Sequence, residues 1–238
     1  MAKADAGTAR KRRQRGSINT DDIVAGAFEV ARNVTLDQLS MPILADHLGV
    51  GVTSIYWYFR KKDDLLNAMT DKAVDRYARM ASEIRESDTW QDTWQHLLRA
   101  HFTAQRDLHR ADAVLSDLLL IRTSTYSREA TGRMMAVIES LVAKLVADGF
   151  TRDNAVLVYN AISVYTRGAI IHDRVLRLAN AATIDVDRQQ RLIDWSAMPV
   201  LAGLVDHRPL MGTTDEDFDF GIDRLLCGFE TLLQEQDT

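Results

Sequence analysis

The sequence predicts an all-α protein in which a small N-terminal domain of three helices precedes a larger helical domain. Apolar residues recur at helical spacing from Ile23 to Leu233. Only 3 prolines and 12 glycines occur among the 238 residues, so the chain has few of the turns that a β-rich fold needs. A turn around Gly49 joins two short apolar segments, which is the spacing of a helix-turn-helix.

The N-terminal domain, residues 17–64, is predicted from three successive segments. Capping residues precede a first helix over 20–33. Ser40 is suited to cap a second helix, which tolerates Pro42 in its first turn and ends at Gly49. A third helix covers 52–59. The apolar spacing predicts that Val50, Ile55 and Phe59 point inward and that Tyr56 lies at the border. The residues predicted to face outward are Val52, Thr53, Ser54, Trp57 and Tyr58.

The aromatic residues of the third segment have two interpretations. They either pack against the following helix or meet the backbone and thymine methyl groups of duplex DNA. Arg60, Lys61 and Lys62 follow directly, which favours DNA, because cations beside a groove-reading helix neutralise phosphates.

Charge is unevenly distributed along the chain. The net charge is −5, yet residues 1–62 carry ten basic and six acidic side chains. A polyanion is therefore attracted to the first quarter of the chain. Residues 1–16 form a predicted disordered basic arm that contains Arg12, Arg13 and Arg15. Such an arm is either simply solvated or contacts nucleic acid.

The C-terminal domain, residues 65–238, is predicted to be helical throughout. The longest helix is apolar on more than one stripe, and the last helix repeats this pattern, which indicates a self-associating surface. Gly168 in the long helix predicts that another backbone crosses there. The predicted segments are 63–86, a helix capped by Asp88 or Thr89, 113–121, 133–146 ending near Gly149, 152–178, a loop over 180–214 with a short helix near 200–204, and 215–235.

Composition excludes several classes of protein. A single cysteine, Cys227, rules out a disulfide framework and fits a reducing cytoplasm, and we expect its thiol to lie in a helix core. No apolar run approaches the roughly 18–20 residues of a membrane span, and the basic N-terminus lacks the apolar segment of a secretion signal. We therefore expect a cytoplasmic protein that does not enter a membrane.

An enzyme is the rival class. None of the six histidines has zinc-binding spacing with an intervening Glu, and the chain has no phosphate-binding loop and no nucleophile elbow. We therefore predict no catalytic residues, no metal and no cofactor. A purely architectural DNA-binding protein is a third class, but it does not need a large acidic helical domain.

The segment from Ile23 to Leu66 resembles the TetR family of bacterial transcriptional repressors. The resemblance rests on the stretch from Leu44 to Val50, on 55–59 (Ile-Tyr-Trp-Tyr-Phe), and on 62–65 (Lys-Asp-Asp-Leu). It covers about forty-five residues. The C-terminal segment from Asp217 to Phe229 is also similar to the final helix of tetracycline-repressor-type ligand domains.

The resemblance implies an Ω-shaped homodimer that binds a double-stranded operator and is released by a small-molecule effector. Pro42 and Gly51 depart from the family pattern, which suggests fewer base contacts from the second helix and a weaker cap on the third. A minor-groove contact by the basic arm is a hypothesis that would compensate. The positions that match the family's DNA contacts are Ser40, Val52, Thr53, Ser54, Tyr56, Trp57, Tyr58 and Lys62.

The family's effector pocket lies inside the C-terminal domain, and its aromatic content favours a flat or apolar ligand. Each candidate residue has an alternative role in the core, on the surface or in an interhelical hydrogen bond. The pocket candidates are Trp94, His101, Gln105, Arg122, Tyr126, Asn160 and Arg167. The candidates for the dimer interface are Ile162, Gly168, Ile171, Val175, Ile222, Leu225 and Phe229.

Overall fold

The computed structural model describes residues 18–122, 126–181, 193–203 and 214–235. Within these ranges the regular elements are helices, which confirms the all-α prediction. They are α1 (Thr20–Ala31), α2 (Met41–Leu48), α3 (Val52–Tyr58), α4 (Lys62–Glu86), α5 (Trp94–Ala111), α6 (Ala113–Ser116), α7 (Arg128–Ala147), α8 (Arg152–Ala181), α9 (Pro199–Ala202) and α10 (Asp215–Glu235). We call α1–α3 the head and α5–α10 the body.

Local capping explains where the first two head helices, α1 and α2, begin. Asn19 accepts a hydrogen bond from the Asp22 backbone N–H at 2.8 Å, and the Asp22 carboxylate accepts one from the Asn19 N–H at 3.2 Å. This reciprocal capping box satisfies two backbone donors at the start of α1. The Ser40 hydroxyl caps α2 as predicted, and Gly49 ends that helix in the left-handed conformation at φ 68°.

Two body helices begin elsewhere than predicted. α5 starts at Trp94 with Thr93 as its cap, because residues 88–91 form a separate 3-10 turn. α7 starts at Arg128, five residues early. The Ser127 hydroxyl accepts from the Ala130 N–H at 3.0 Å, while the Ser127 N–H donates to Asp71 at 3.0 Å, so a tertiary contact fixes this start. The predicted end of α7 is confirmed, with Gly149 at φ 111°.

The first core joins the head to its neighbours. Apolar side chains of α1–α3 pack with Leu65, Leu66 and Met69 at the start of α4. Val114 and Leu115 of α6 close the same core from the body side. The predicted domain boundary at residue 64 therefore falls inside α4, which belongs structurally to both domains.

The second core fills the body. The later part of α4 packs with α5, α7, α8 and α10 around buried side chains such as Leu98, Phe102 and Ile162. One face of α5 points into this core along most of its length. The polar residues on that face are therefore held deep in the protein.

Candidate nucleic-acid interface and buried polar site

The turn between α2 and α3 is closed by backbone hydrogen bonds. The Val50 N–H donates to the Ala45 carbonyl at 3.0 Å, and the Gly49 N–H donates to the Asp46 carbonyl at 3.1 Å. Gly51 occupies the N-cap of α3 and offers no side-chain hydrogen bond. The helix-turn-helix and the weaker cap on α3 are both as predicted.

The short helix α3 is divided sharply between a buried and an exposed side. Ile55 is completely buried and Phe59 is nearly so. In contrast, Trp57 is 79% exposed and Tyr56 is 47% exposed, and Thr53 also lies on the surface. Large aromatic groups left in water on a seven-residue helix are costly unless a partner covers them.

Tyr58 differs from the prediction, which placed it on the outer face. Its ring is half-buried against the first core, and its hydroxyl donates to the Ile18 carbonyl at 2.6 Å. Tyr58 also meets Trp57 edge to face, with ring centroids 4.8 Å apart. Its role in the protein alone is to anchor the chain before α1 and to support the Trp57 ring.

The remaining predicted DNA contacts lie around this helix. Val52 is exposed, whereas Ser54 is half-buried. Ser40 is also half-buried, with its hydroxyl engaged as the α2 cap. The Lys62 ammonium donates one hydrogen bond to the Asp37 carbonyl at 2.7 Å, which leaves two of its three N–H groups for a phosphate. Arg12, Arg13 and Arg15 lie outside the described residues.

A row of polar side chains runs along the buried face of α5. His101, Gln105 and His109 are spaced by four residues, so they lie on one side of the helix, and all three are buried. His101 shares a hydrogen bond of 3.0 Å with the Tyr77 hydroxyl of α4, and His109 shares one of 3.2 Å with the Ser116 hydroxyl. We call these three residues the polar row.

Burial keeps the groups of the polar row uncharged. It lowers the pKa of His101 to about 4, and it lowers the pKa of His109 to about 4 with help from the nearby Arg167 charge. The same desolvation raises the pKa of Tyr77 and, on α8, the pKa of Tyr159. At neutral pH these groups therefore offer hydrogen bonds without charge.

The structure brings together some of the predicted pocket residues. Trp94, His101 and Gln105 all lie on the buried face of α5. Arg167 is exposed, but its charge acts on Tyr77 and His109.

The other three pocket candidates lie elsewhere. Asn160 and Tyr126 are exposed, and Arg122 pairs with Asp63 at 3.0 Å between α4 and the end of the segment after α6. Their positions do not support a place in the same buried site.

Sequence reasoning missed several members of this site. His109 continues the spacing of four from His101 and Gln105, which was a usable signal. Tyr77, Tyr159 and Thr166 carry no such signal, because only the packing of α4 and α8 against α5 brings them beside the row.

The structure corrects part of the predicted dimer interface, because some of the predicted residues pack inside their own chain. Ile162 and Ile222 are completely buried in the second core of their own chain, and Leu225 and Phe229 are half-buried against it. Helical spacing alone does not distinguish two apolar stripes on one helix. Gly168, Ile171 and Val175 are exposed, and their place in the dimer interface stays a prediction.

Further exposed residues extend this surface onto α10. Val164 is 70% exposed and Phe220 is 64% exposed. Cys227 is also exposed rather than buried, contrary to our expectation. A methyl group added at Gly168 or Gly228 would meet nothing within 4 Å in the chain itself, so no backbone of the described protomer crosses there.

A buried carboxylate connects head and body. Asp112, just before α6, accepts from Arg32 of α1 at 2.9 Å and from Arg76 of α4 at 2.8 Å. Burial alone would raise the pKa of Asp112, but the bonds from Arg76 and Arg32 outweigh it and hold the pKa below its usual value. Asp112 therefore links three elements as an ion.

Two further features bear on function. Among the described residues, no cluster of His, Cys, Asp and Glu has a metal-binding arrangement. None of the described helices is long and apolar enough to cross a membrane.

Comparison with known proteins adds the family context. Residues 23–69 match the model of bacterial regulatory proteins of the tetR family, and residues 85–233 match the tetracyclin repressor-like C-terminal domain. An HTH-type transcriptional repressor of Mycobacterium tuberculosis is 42% identical over 95% of this chain and 85% of its own length. Tetracycline repressor protein class G of Vibrio anguillarum is 26% identical over 90% of this chain and 95% of its own.

A solved structure shares the fold. ActR from Streptomyces coelicolor in complex with actinorhodin has a TM-score of 0.63 and 18% identity, covering 92% of this chain and 99% of that one.

Proposed function

Because the chain belongs to the TetR family of bacterial transcriptional regulators, we propose that the exposed side of α3 contacts operator DNA and that the polar row of α5 receives the effector. The protein is a ligand-responsive repressor and not an enzyme. What remains to be assigned is which residues perform each part.

The DNA-binding assignment rests on one observation, the exposure of Trp57 and Tyr56 on a helix whose opposite side is buried. Thr53 and Ser54 are small polar residues suited to base edges in the major groove. Tyr56, Trp57 and Lys62 are suited to the sugar-phosphate backbone, which sets register and affinity. Ser40 and Val52 complete the contact surface, while Tyr58 supports it from behind.

Binding of fluorescent duplexes from the protein's own promoter region tests this assignment. We expect Tyr56→Phe and Lys62→Ala to weaken binding to all sequences, and we expect changes at Thr53 to alter the preference between operators. Val200→Ala, an exposed apolar change outside the head, is the matched control. A Lys62→Ala variant that changed base preference at unchanged affinity would contradict the assignment.

The basic arm is proposed to add phosphate or minor-groove contacts. A variant lacking residues 1–15 should bind more weakly and show a shallower dependence on salt, because fewer counterions are released. Unchanged affinity and salt slope would remove the arm from the interface.

The effector site is proposed around the polar row because it combines burial, aromatic walls and hydrogen-bonding groups. Trp94, His101, Gln105 and Arg167 are retained from the sequence prediction. The crystallised complex of ActR with actinorhodin supports a small-molecule site in a helical domain of this kind.

Release of DNA is proposed to run through the link at Asp112. The two heads of a dimer must sit about 34–36 Å apart to enter successive major grooves. An effector that favours a wider spacing by a few kcal/mol empties the operator. Because Asp112 binds Arg32 of the head and Arg76 of α4, a shift of the body is transmitted to α1.

We place the homodimer interface on the exposed stripe of α8 and the adjacent side of α10. Val164, Gly168, Ile171 and Val175 lie on one side of α8 by helical spacing and exposure, and Phe220 is exposed on α10, which packs against α8. The cytoplasm is the proposed location, because an operator-binding protein acts where the chromosome lies.

A further inference from the structure

Two buried side-chain oxygens of the body core have no hydrogen-bond partner among the described residues. They are Gln105 Oε1 on α5 and Thr166 Oγ1 on α8, two helices that pack directly against each other. Gln105 is 6% exposed and Thr166 is completely buried. Proteins pair the great majority of such atoms, because an unpaired one lowers stability. A ligand group that paired with these atoms would remove that cost.

The chemistry of these atoms selects the group that would pair with them. The Gln105 carbonyl oxygen accepts a hydrogen bond, and its amide can rotate to present a donor instead. The Thr166 hydroxyl both donates and accepts. A hydroxyl group on the ligand matches either side chain in either orientation, whereas an ether oxygen only accepts.

A series of aromatic rings from α4, α5 and α8 lies in the same core. The rings of Tyr77 and His101 lie edge to face at 5.9 Å, those of His101 and Phe102 at 5.1 Å, and those of Phe102 and Tyr159 are tilted at 6.1 Å. A planar ring inserted beside this series gains edge-to-face and stacking contacts.

The charges of the surrounding side chains indicate whether the ligand is charged or neutral. The side chain of Arg106, the buried cation on α5, is engaged by Asp173 at 3.4 Å and Asp215 at 2.8 Å. His101 and Tyr77 are neutral at pH 7. Burying a charged ligand without a counter-charge is unfavourable. The rival is an anion, which Arg167 at the exposed edge would attract.

We propose that the effector is an uncharged aromatic molecule whose hydroxyl groups pair with Gln105 and Thr166. This inference rests on the effector site proposed above and refines the sequence expectation of a flat or apolar ligand. A flat aromatic ligand would contact the aromatic side chains. A wholly apolar ligand would leave Gln105 Oε1 and Thr166 Oγ1 unpaired.

Titration calorimetry of the full-length, DNA-free dimer at pH 7 tests the proposal with three naphthalene probes. Dihydroxynaphthalene should bind about tenfold tighter than its dimethoxy ether, which has lost its donors, and tighter than naphthalene disulfonate. Equal affinity for the ether, tightest binding of the disulfonate, or no binding of any probe would overturn it.

The variants Gln105→Leu and Thr166→Val test whether these two side chains cause the preference for dihydroxynaphthalene. Each should reduce the preference for dihydroxynaphthalene over the ether by about three- to tenfold, with thermal unfolding confirming a folded protein. Gln91→Leu makes the same amide replacement at an exposed site and should leave the preference unchanged. An unchanged preference in both folded core variants would overturn the proposal. Operator binding, measured separately on the same samples, reports failure of the DNA-binding function on its own.

Discussion

The two cores of this protein differ in what they bury. Among the described residues, buried polar and charged side chains occur only from Thr70 onward, so the interior of α1–α3 is apolar. The body core contains the polar row and unpaired atoms at Gln105 and Thr166. An apolar, close-packed core holds the exposed side of α3 in one shape. A core with unsatisfied polar atoms can gain stability from a ligand, which is what a sensor needs.

Among single substitutions, removing a large side chain from the head core is expected to have the largest effect. Leu44→Ala deletes a completely buried side chain, so the free energy of unfolding should fall by about 3 kcal/mol, and operator binding should weaken as α2 loosens. Urea denaturation measures the loss. Ile43→Ala, one residue earlier and exposed, should change stability by less than about 0.5 kcal/mol.

Acid should weaken the body through its two buried histidines. Because burial lowers the pKa of His101 and His109 to about 4, each stabilises the fold fully only above pH 6.5, and that stabilisation is lost as pH falls toward 4. The expected loss is about 2 kcal/mol per histidine at pH 5, measured by urea denaturation at pH 7 and pH 5.

The double variant His101→Gln/His109→Gln is the control for this acid effect. Its unfolding free energy should depend much less on pH between 7 and 5. If the variant and the natural protein showed the same pH dependence, the buried histidines would not be its cause.

Breaking the link between the cores should have a smaller effect on stability and a specific effect on regulation. Asp112→Asn leaves Arg32 and Arg76 without their carboxylate. Since the side chains of these arginines are 51% and 33% exposed, water compensates in part and the expected loss is about 1–2 kcal/mol. Ligand-induced release of the operator should weaken by more than this loss of stability explains. DNA-binding titration with and without dihydroxynaphthalene measures the release.

Asp63→Asn provides the comparison for this link. Asp63 pairs with Arg122 at 3.0 Å but has a side chain that is 66% exposed. Its replacement should leave release almost unchanged. Equal effects of the two substitutions would argue against a special role for Asp112.

The smallest expected effect comes from glycines in exposed helix positions. Gly132→Ala in α7 meets open space and should raise the unfolding free energy by about 0.5–1 kcal/mol. Gly168→Ala is equally unobstructed within one chain, but at a close dimer contact the added methyl group should weaken association. Sedimentation of both variants separates the two outcomes, and an unchanged dimer in Gly168→Ala would remove this position from the interface.

Local patterns predicted much of the head. The caps of α1 and α2, the left-handed Gly49 and the inward positions of Ile55 and Phe59 all follow from neighbouring residues. The start of α7 was missed because Asp71, which receives the Ser127 N–H, is 56 residues away in sequence. Tyr58 was misplaced for the same reason, since its partner is the Ile18 carbonyl.

The sequence by itself determined the all-α class, the helix-turn-helix and its concentration of positive charge, because helical periodicity, capping and charge are properties of neighbouring residues. Only the tertiary structure decided which apolar stripe of α8 is covered and which groups surround the polar row. These depend on how α4, α8 and α10 pack around α5, and helical spacing marks a stripe as apolar without saying what lies against it.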